Sequence, residues 1–390
     1  MLSFWEKQHF IHYDYIIVGG GIVGLSTAAS LLSLRPDAAV LVLERGLFPT
    51  GASTKNAGFA CFGSLTEILA DIKKIGEDAA GALIEQRWQG LQQLQQRLGP
   101  QRMGLQALGG YELLTTANES AIEQLEPINQ LLKSLFGTNI FSLKKSLITA
   151  FGFSKEIVTQ LVYNDKEAQV DTGLLMRHLW RYVQEKGATL LTGAQVENIE
   201  ENDQAILLHV TSSATQETIC FSAERAALCT NAFTKKLLPD ISLQPGRGQV
   251  LITTPVKDLP FQGTFHMEEG FFYFRNVGNR VLFGGGRHLD YAAETTTDFS
   301  VTEKIINALE DRLSNIILPN KEYKIAQQWA GIMAFNAARK PLLKALTSRL
   351  LIGTCLNGMG IAIGSSLGDR LAKLLLDSQP YSYKYNAELN

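Results

Sequence analysis

The N-terminal segment YDYIIVGGGIVGLSTAASLL is the feature that most constrains what this chain can fold into. Residues 15–18 form a short apolar run of the kind found in strands buried on both faces, and a small-residue stretch suited to a helix follows. Between them stand Gly19, Gly21 and Gly24 in a Gly-x-Gly-x-x-Gly spacing. The first glycine permits a tight turn, the second lets the backbone approach a diphosphate, and the third lets the helix pack closely on the strand. The spacing predicts a strand–turn–helix with a diphosphate at the helix N-terminus.

A second apolar run, VLVL, ends at Glu44, which lies 20 residues after Gly24. A carboxylate at this distance can accept hydrogen bonds from ribose hydroxyls, and it repels the additional phosphate of NADP. The glycine pattern alone is weak evidence, because a structural turn can have the same composition. Together with the strand, the helix and the acid, it predicts an adenine dinucleotide site.

The loop at residues 51–58, GASTKNAG, bears on which dinucleotide is bound. It is made of small residues and includes Ser53, Thr54 and Asn56. A flavin cofactor requires a backbone that its ring system can lie against, and hydroxyl and amide groups there can hold the diphosphate and the polar edge of the ring. Ordinary loop chemistry explains the same composition, so these residues alone leave NAD and FAD both open.

Composition narrows the class of protein. A length of 390 residues predicts two or more folding units, because single cores rarely grow beyond about 250 to 300 residues. A net charge of -2 provides no attraction to nucleic acid or to anionic lipid. The four cysteines are far apart and the six histidines do not cluster, so we expect free thiols in a reducing cytoplasm and no metal. Residues 15–34 are uncharged, but the three consecutive glycines favour a strand–turn–helix over a membrane span.

The rest of the chain alternates between helical and strand-like patterns. Residues 65–98 predict one or two helices with a break near Gly76 or Gly81, and a helix from about Gly173 to Lys186 has Thr172 as its candidate cap. PGRGQVLITT begins a more β-rich stretch, in which the runs GTFHME, GFFYFRN and NRVLFGGGRH alternate apolar and polar side chains in the manner of sheet strands. The last predicted elements are a strand, a glycine-rich turn and a helix. The N-terminus of this helix favours negative charge.

In this order, the motifs resemble the superfamily of FAD-dependent enzymes that contains D-amino-acid oxidase, glycine oxidase and sarcosine oxidase. The resemblance covers residues 13–377 and is carried by DYIIVGGGIVGLSTA, LERG, GASTKNAG, VDTGLLMRHL with GATLLTGAQVENIE, PGRGQV, WAGI with KP, and LLIGTCLNGMGIA. It implies an α/β fold in which a Rossmann-like FAD-binding domain (residues 10–85, 155–240 and 335–380) is interleaved with a mixed-sheet substrate domain (residues 86–154 and 241–334).

The resemblance also implies which residues contact the cofactor. Besides the three motif glycines, Ile22 and Val23 are expected at the diphosphate, and Glu44 and Arg45 at the adenosine end. The residues expected along the rest of the cofactor are Ala52, Ser53, Ala57, Gly58, Phe59 and, at the adenine, Val196. Those expected to border the flavin ring are Asn357, Gly358, Met359 and Gly360.

The family's substrate-binding residues are replaced in this chain. In glycine-oxidase-like members the position matching Met333 is an arginine that pairs with the substrate carboxylate, and a second family arginine falls on Leu356. The tyrosine that helps to bind the carboxylate aligns with Phe271, although Tyr273, two residues on, faces the same side of a strand. Met333 and Leu356 therefore predict an apolar wall.

Two hypotheses follow from these replacements. Either Arg339 or Lys340 reaches the site from another direction, or the substrate lacks a carboxylate near the flavin. A simpler explanation of both cations is that they are solvated surface charges. Further polar candidates, each with a simpler structural explanation, are Arg247, Arg275 and His266. The cysteine that bonds the flavin covalently in sarcosine-oxidase-like members aligns with Gly331, so the resemblance implies non-covalent FAD.

The activity that the resemblance implies is oxidation of a C–N bond in an amino acid or amine by hydride transfer to the flavin, with dioxygen as the acceptor. The flavin carries the chemistry, so no catalytic side chain is named. The alternatives are oxidation of a 2-hydroxy acid, a tRNA-modifying enzyme and a non-catalytic FAD-binding protein. The near-zero net charge counts against a nucleic-acid partner and leaves a small-molecule substrate.

Overall fold

Two eight-stranded sheets organise the chain, of which the computed structural model describes residues 1–212 and 216–377. The first sheet is built on parallel strands flanked by helices, and the second is almost entirely antiparallel. The α/β fold class expected from the sequence is therefore confirmed.

The strands of the described residues follow in chain order. They are β1 (His12–Val18), β2 (Val40–Leu43), β3 (Phe59–Ala60), β4 (Gly110–Thr115), β5 (Phe141–Leu143), β6 (Val158–Asn164), β7 (Ala168–Gln169), β8 (Thr189–Leu191), β9 (Val196–Glu201), β10 (Ile206–Thr211), β11 (Thr218–Leu228), β12 (Gln244–Thr253), β13 (Thr264–Met267), β14 (Phe272–Val277), β15 (Arg280–Gly285), β16 (Ile325–Phe335), β17 (Leu342–Ala345) and β18 (Leu350–Thr354).

The α-helices of the described residues vary in length from single turns to 22 residues. They are α1 (Phe4–His9), α2 (Ile22–Leu34), α3 (Ala52–Lys55), α4 (Leu65–Ile75), α5 (Glu77–Leu98), α6 (Pro100–Met103), α7 (Leu125–Phe136), α8 (Leu147–Ala150), α9 (Thr172–Glu185), α10 (Tyr291–Glu294), α11 (Glu303–Arg312) and α12 (Gly360–Leu376). Short 3₁₀ helices span Glu119–Gln124, Asn231–Lys236 and Arg287–Asp290, and a π-helical turn spans Leu313–Ile317.

The first sheet has the strand order β17-β18-β11-β1-β2-β8, and β10 and β9 extend from β11. β1 pairs in parallel with both β11 and β2, and every residue of β2 is buried. Strands covered on both faces require continuous apolar runs, which explains the VLVL sequence of β2. The carboxyl ends of β1 and β2 reach the same edge of the sheet, where α2 begins.

α2 packs against α12 in parallel through two glycines of α12. A Cβ atom at Gly364 would lie 2.7 Å from Cγ2 of Ile22, and one at Gly368 would lie 2.6 Å from Cβ of Ser26. The glycines are four residues apart and therefore occupy one face of α12. Because neither carries a side chain, the two helices approach closely and begin at the same edge of the first sheet.

The second sheet has the order β16-β12-β15-β14-β13-β4-β6-β5, and phenylalanines cover one of its faces. Phe265 and Phe274 stack with their ring centroids 4.6 Å apart, and α11 packs on the same core. On the opposite face, β12 and β16 carry Gly248 and Gly331, which pair directly with each other. That glycine-bearing face is open to the space between the sheets.

Two helix predictions are settled by the structure. Residues 65–98 form two helices, α4 and α5, separated at Gly76, which confirms the expected break. The expected cap of α9 at Thr172 is wrong, because Asp171 occupies the cap position and its side chain accepts a hydrogen bond from the Leu174 N–H at 2.9 Å. A carboxylate one residue earlier satisfies the free N–H of the first turn.

We retain the two-domain division as a proposal with two shifted boundaries. β6 belongs to the second sheet although it lies within residues 155–240, which were assigned to the first domain. α5 crosses the boundary at residue 86, and its Leu91 and Leu94 lie in the core shared by α2 and α12. We therefore propose that the boundaries follow α5 and β6. Residues 378–380 of the predicted third segment lie outside the described residues.

The described ranges contain no helix that is both long enough and apolar enough to span a membrane. Cys61, Cys220, Cys229 and Cys355 are free thiols, as expected, and burial raises the pKa of each of them.

Replacement of Glu294 by alanine tests whether the buried ion pair behind β12 holds the second sheet together. Arg247 and Glu294 pair at 2.8 Å with side chains 4% and 1% exposed, and Gln249 also donates to Glu294. Among the described residues, the variant leaves the buried guanidinium with only one ion-pair partner, Asp298, which is exposed and 3.9 Å away. We therefore expect a loss of about 3–5 kcal/mol in the free energy of unfolding, measured by urea denaturation. The control is Glu185→Ala, which breaks the exposed pair with Arg181 and should cost less than about 1 kcal/mol. Equal losses in both variants would contradict the prediction.

Candidate functional site

A cavity of about 730 Å³ lies between the two sheets and is lined by residues of both. One end is formed by the turn between β1 and α2, the end of β2 and the start of β9. The other end is formed by β12, β14, β16 and the start of α12. The cavity therefore joins the glycine motif to the glycine-bearing face of the second sheet.

The turn between β1 and α2 gives the cavity an anion-binding end. Gly21 is the cap residue of α2, no side chain caps the helix, and the Ile22 N–H donates to Ser53 Oγ at 3.0 Å. A Cβ atom at Gly24 would collide with the carbonyl oxygen of Gly19, so only glycine allows α2 to start this close to β1. Free N–H groups at a helix N-terminus favour negative charge, so this end fits a diphosphate.

Glu44 lies at the carboxyl end of β2, beside the glycine turn. Its two carboxylate oxygens accept hydrogen bonds from the Gly20 and Gly46 N–H groups, each at 2.9 Å, which fixes the side chain toward the cavity. Carboxylate oxygens accept more than one hydrogen bond, so ribose hydroxyls fit here. Arg45 stacks over the Phe233 ring at 3.6 Å, and Val196 lines the same end.

The small-residue loop forms the side of the cavity. Asn56 donates to the carbonyl oxygens of Ala52 and Ser53 and accepts from the Gly58 N–H, which closes the loop on itself. Arg275 Nε donates to the Ala57 carbonyl at 2.5 Å and thereby ties the loop to β14. The loop is therefore a rigid wall held between the two sheets.

The opposite end of the cavity is a space suited to a flat ring. Asn357 and Gly358 have positive φ values, 51° and 91°, and form a sharp turn ahead of α12. A Cβ atom at Gly358 would have Met333 Sδ as its nearest neighbour, 4.0 Å away, so this side of the turn is open. The N-terminus of α12 starts here with no side-chain cap.

The expected cofactor residues therefore surround one cavity. All of them line it except Gly24, which packs α2 against the glycine turn instead. Their contacts with a cofactor remain proposals. The cavity extends from the glycine turn to the open ring space and contains the N-termini of α2 and α12, and these features fit a flavin adenine dinucleotide.

The substrate candidates Phe271, Tyr273, Met333, Arg339 and Leu356 all line the cavity as well. Arg339 is engaged, since its Nη1 donates to Asp71 at 2.8 Å, and Asp71 also pairs with Arg87 at 3.2 Å. Lys340 is exposed and lies outside the cavity. Phe271 precedes β14 and packs on His288, whereas Tyr273 lies within the strand and packs on Phe59.

Two of the further polar candidates have structural partners. Arg247 lies between two cavity-facing glycines of β12, so its side chain points to the other face and pairs with Glu294. Arg275 donates to the carbonyl oxygens of Ala57 and Val170, and burial lowers its pKa to about 10. Neither side chain lines the cavity.

His266 lines the cavity between two carboxylates. Its Nε2 lies 2.9 Å from Glu167 and its Nδ1 lies 3.5 Å from Glu67. Burial lowers the pKa of His266, but Glu167, Glu67 and the more distant Glu112 outweigh burial and raise the pKa to about 9. The imidazole is therefore a cation at neutral pH, and burial raises the pKa of nearby Tyr273 to about 12.

Among the described residues, Cys61, Glu167 and His266 bring three possible metal ligands within 4.8 Å of one another. Glu167 and His266 already pair with each other, and the Thr264 hydroxyl donates to the same carboxylate. The group is accounted for as a buried ion pair, and the expectation of no metal stays a prediction.

Several cavity residues were missed by sequence reasoning. They include Cys229, Thr230, Phe233, Glu67, Tyr291, Phe335 and Arg287. They come from elements far apart in the chain. The sequence offered only one signal, an arginine directly after three consecutive glycines, of which the first two end β15.

Residues 14–374 match the family model for FAD dependent oxidoreductase (DAO). The chain belongs to this family. It is an FAD-dependent oxidoreductase, and the expectation that its cofactor is FAD is confirmed.

Individual relatives differ in how much of the chain they match. L-2-hydroxyglutarate dehydrogenase from Salmonella houtenae is 33% identical over 91 residues, which is 18% of this chain and 21% of that protein. The chain thus matches about a fifth of that curated relative. Glycine oxidase from Geobacillus kaustophilus is 24% identical over 341 residues, 82% of this chain and 81% of that protein.

Solved structures share the fold over nearly the whole chain. The crystal structure of that glycine oxidase superimposes with a TM-score of 0.75 at 20% identity and covers 94% of this chain and 95% of its own. L-proline dehydrogenase from P. horikoshii has a TM-score of 0.75 at 17% identity and covers 94% of each chain. At these identities the similarity establishes the fold.

Replacement of Gly24 by alanine tests the packing that places the diphosphate end. The added methyl collides with the Gly19 carbonyl, and overpacking of this kind costs about 1–3 kcal/mol, so we expect FAD binding to weaken at least about tenfold. The ratio of flavin to protein absorbance after purification measures the loss. Gly81→Ala is the control, because a methyl there meets nothing within 4 Å, and it should retain FAD and gain stability. Full FAD content in Gly24→Ala would contradict the prediction.

The pH dependence of stability tests the charge state of His266. Because the pKa rises from 6.5 to about 9 on folding, the imidazolium stabilises the fold fully below pH 6.5, and this contribution is lost as pH rises through 9. We expect the wild-type free energy of unfolding to fall by about 3 kcal/mol more than that of His266→Gln over this range. Urea denaturation of both proteins at several pH values measures the difference. Parallel pH profiles would contradict it.

Proposed function

We propose that the protein oxidises a C–N bond of an amino acid or amine, with dioxygen as the acceptor of the electrons. Bound FAD supplies the redox chemistry by taking up a hydride from the carbon next to nitrogen. The residues at the ring end of the cavity bind and orient the substrate and exclude water from it.

The observation that carries this proposal is that the titratable side chains at the ring end are already paired or buried. His266 already holds its proton between Glu67 and Glu167, and Tyr273 keeps its hydroxyl proton because of its raised pKa. Asp71 is paired with two arginines. A neutral amine needs no base, since its lone pair assists the departure of hydride from the neighbouring carbon. An alcohol must lose its hydroxyl proton, and these three groups are poorly suited to accept it.

The shape of the ring end supports an apolar substrate. Met333, Leu356, Phe271 and Tyr273 line it, and Met333 lies directly over the turn that borders the ring space. Glycine oxidase and L-proline dehydrogenase, whose structures share the fold, are named for substrates with a C–N bond. This is consistent with the proposed class of reaction.

Oxidation of a 2-hydroxy acid is the second candidate. It is favoured by the 33% identity over 91 residues to L-2-hydroxyglutarate dehydrogenase. In that case one of the paired carboxylates, Glu67 or Asp71, would have to leave its partner and accept the hydroxyl proton.

Anaerobic mixing of the purified flavoprotein with substrate panels tests the proposal. The panels are D- and L-amino acids, N-methyl amino acids, carboxylate-free amines and 2-hydroxy acids, and loss of the flavin absorbance band reports reduction. We expect amino acids or amines to bleach the flavin and to release ammonia or an amine. Admission of air should restore the band within seconds if dioxygen is the acceptor.

Bleaching by 2-hydroxy acids alone would replace the proposal with the second candidate. A flavin that no member of the panels reduces, but that dithionite reduces, would favour a non-catalytic FAD-binding protein. Slow recovery in air after rapid bleaching would retain the reaction and exclude dioxygen as the acceptor.

A further inference from the structure

Arg287 lines the cavity and forms no ion pair with another described residue, although the charge of Glu294 raises its pKa in part against burial. It follows β15, where Gly285 and Gly286 take φ values of 124° and 78° and turn the chain into a 3₁₀ helix. The guanidinium carbon lies 4.0 Å from the centroid of the Phe335 ring and 4.8 Å from that of Tyr291. Within the described part of the chain it makes no hydrogen bond and no ion pair. Two aromatic rings thus hold a guanidinium whose N–H groups remain available.

The other arginines that line the cavity are either ion-paired or lie at its opposite end. Among the described residues these are Arg45, Arg87 and Arg339. Arg87 and Arg339 share the Asp71 carboxylate, and Arg45 stacks on Phe233 at the adenosine end. Arg287 is therefore the cavity arginine most available to an anionic ligand at the ring end.

The register of β12 and β16 places Arg287 next to Met333. Gly246 pairs with Met333, and Gly248 pairs with Gly331, so all four positions lie on one face of the sheet, and Gly248, Gly331 and Met333 line the cavity. A Cβ atom at Gly246 would lie 3.3 Å from Nη1 of Arg287, and one at Gly248 would lie 2.8 Å from Cε of Met333. Since residues two apart on a strand are separated by about 7 Å, the guanidinium reaches the substrate space from beside the thioether.

We propose that Arg287 binds the carboxylate of the substrate, which makes the substrate an amino acid with an apolar side chain. This rests on the proposed function and names its substrate class. A guanidinium pairs with a carboxylate through two parallel hydrogen bonds. Arg287, which follows β15, thus supplies the cation that the family has at the position of Met333. Arg339 remains paired with Asp71.

The surroundings of Arg287 suit a buried anion. Burial lowers its pKa, so an approaching carboxylate meets a guanidinium that is incompletely hydrated. Phe335 and Tyr291 hold the guanidinium in place and exclude water around it, which strengthens a charge-assisted hydrogen bond. Met333 and Leu356 then leave an apolar space for the side chain of the amino acid.

Binding of unreactive carboxylates to the FAD-bound protein tests the proposal without turnover. The probes are acetate, benzoate and anthranilate, with benzamide as the neutral counterpart of benzoate, and the change in the flavin absorption spectrum on titration yields each Kd. We expect benzoate to bind and benzamide not to. In Arg287→Met the Kd for benzoate should rise at least about tenfold, since hydrogen bonds to charged groups contribute about that much. The Kd of Arg287→Lys for benzoate should lie between those of the wild type and Arg287→Met, because lysine keeps the charge and loses the paired geometry.

Two further variants make the test specific. Arg312→Met is the matched control, since Arg312 also lies over a phenylalanine ring, 3.9 Å from the Phe272 centroid, but outside the cavity. It should bind benzoate like the wild type. Arg339→Met tests the rival cation, and it should change the Kd less than Arg287→Met. Thermal melting confirms that each variant is folded and retains FAD.

Three outcomes would overturn the proposal. They are a Kd for benzoate in folded Arg287→Met within about threefold of wild type, a larger loss in Arg339→Met, or the absence of any spectral change with all three carboxylates. Failure of the proposed function has a different signature, since carboxylates would still bind through Arg287 while no amino acid bleached the flavin. If carboxylate-free amines bleach the flavin at the same rate in Arg287→Met as in the wild type, the protein oxidises C–N bonds but Arg287 has no part in the reaction.

Discussion

The parallel packing of α2 on α12 is the constraint on which the site depends. Gly364 and Gly368 bring the two helices together, and Gly24 brings α2 onto the glycine turn after β1. Both helices consequently begin at the same edge of the first sheet, and each directs the partial positive charge of its N-terminus into one cavity. A cofactor with a diphosphate at one end and a redox ring at the other fits between these two termini. A side chain at Gly364 or Gly368 would separate the two helices, and one at Gly24 would push α2 away from the glycine turn.

The second sheet completes the cavity because its two faces differ. Along β12 the glycines at positions 246 and 248 face the cavity, while Arg247 and Gln249 between them reach Glu294 on the opposite side. Because of this alternation, neighbouring residues of β12 border a buried ion pair on one face and the open ring space on the other. Phenylalanines stacked behind the neighbouring strands stiffen the sheet, so the charged groups near the ring, such as His266, are held in fixed pairs.

Local patterns were the reliable source of sequence inference. The glycine spacing, the acid at Glu44, the break at Gly76 and the strand-like runs each depend on residues close together in the chain, and the structure has each element where it was expected. One error was also local, since Asp171 takes the cap position from Thr172 and its carboxylate accepts a hydrogen bond from the Leu174 N–H. The membership of β6 in the second sheet depended on pairing with β4, more than 40 residues away, and no local pattern encodes that pairing.

The sequence by itself indicated the FAD family and the glycine turn after β1, and it predicted an apolar wall at Met333 and Leu356 in place of the family's carboxylate-binding arginines. Those features are readable because they consist of residue types at set spacings. Only the tertiary structure decided which cations at the ring end are already ion-paired. Asp71 lies 268 residues from Arg339 and pairs with it. Arg287 is brought beside Met333 by the pairing of β12 with β16, and among the described residues it forms no ion pair. The availability of a charge depends on its neighbours in space, and those neighbours are set by sheet register and helix packing.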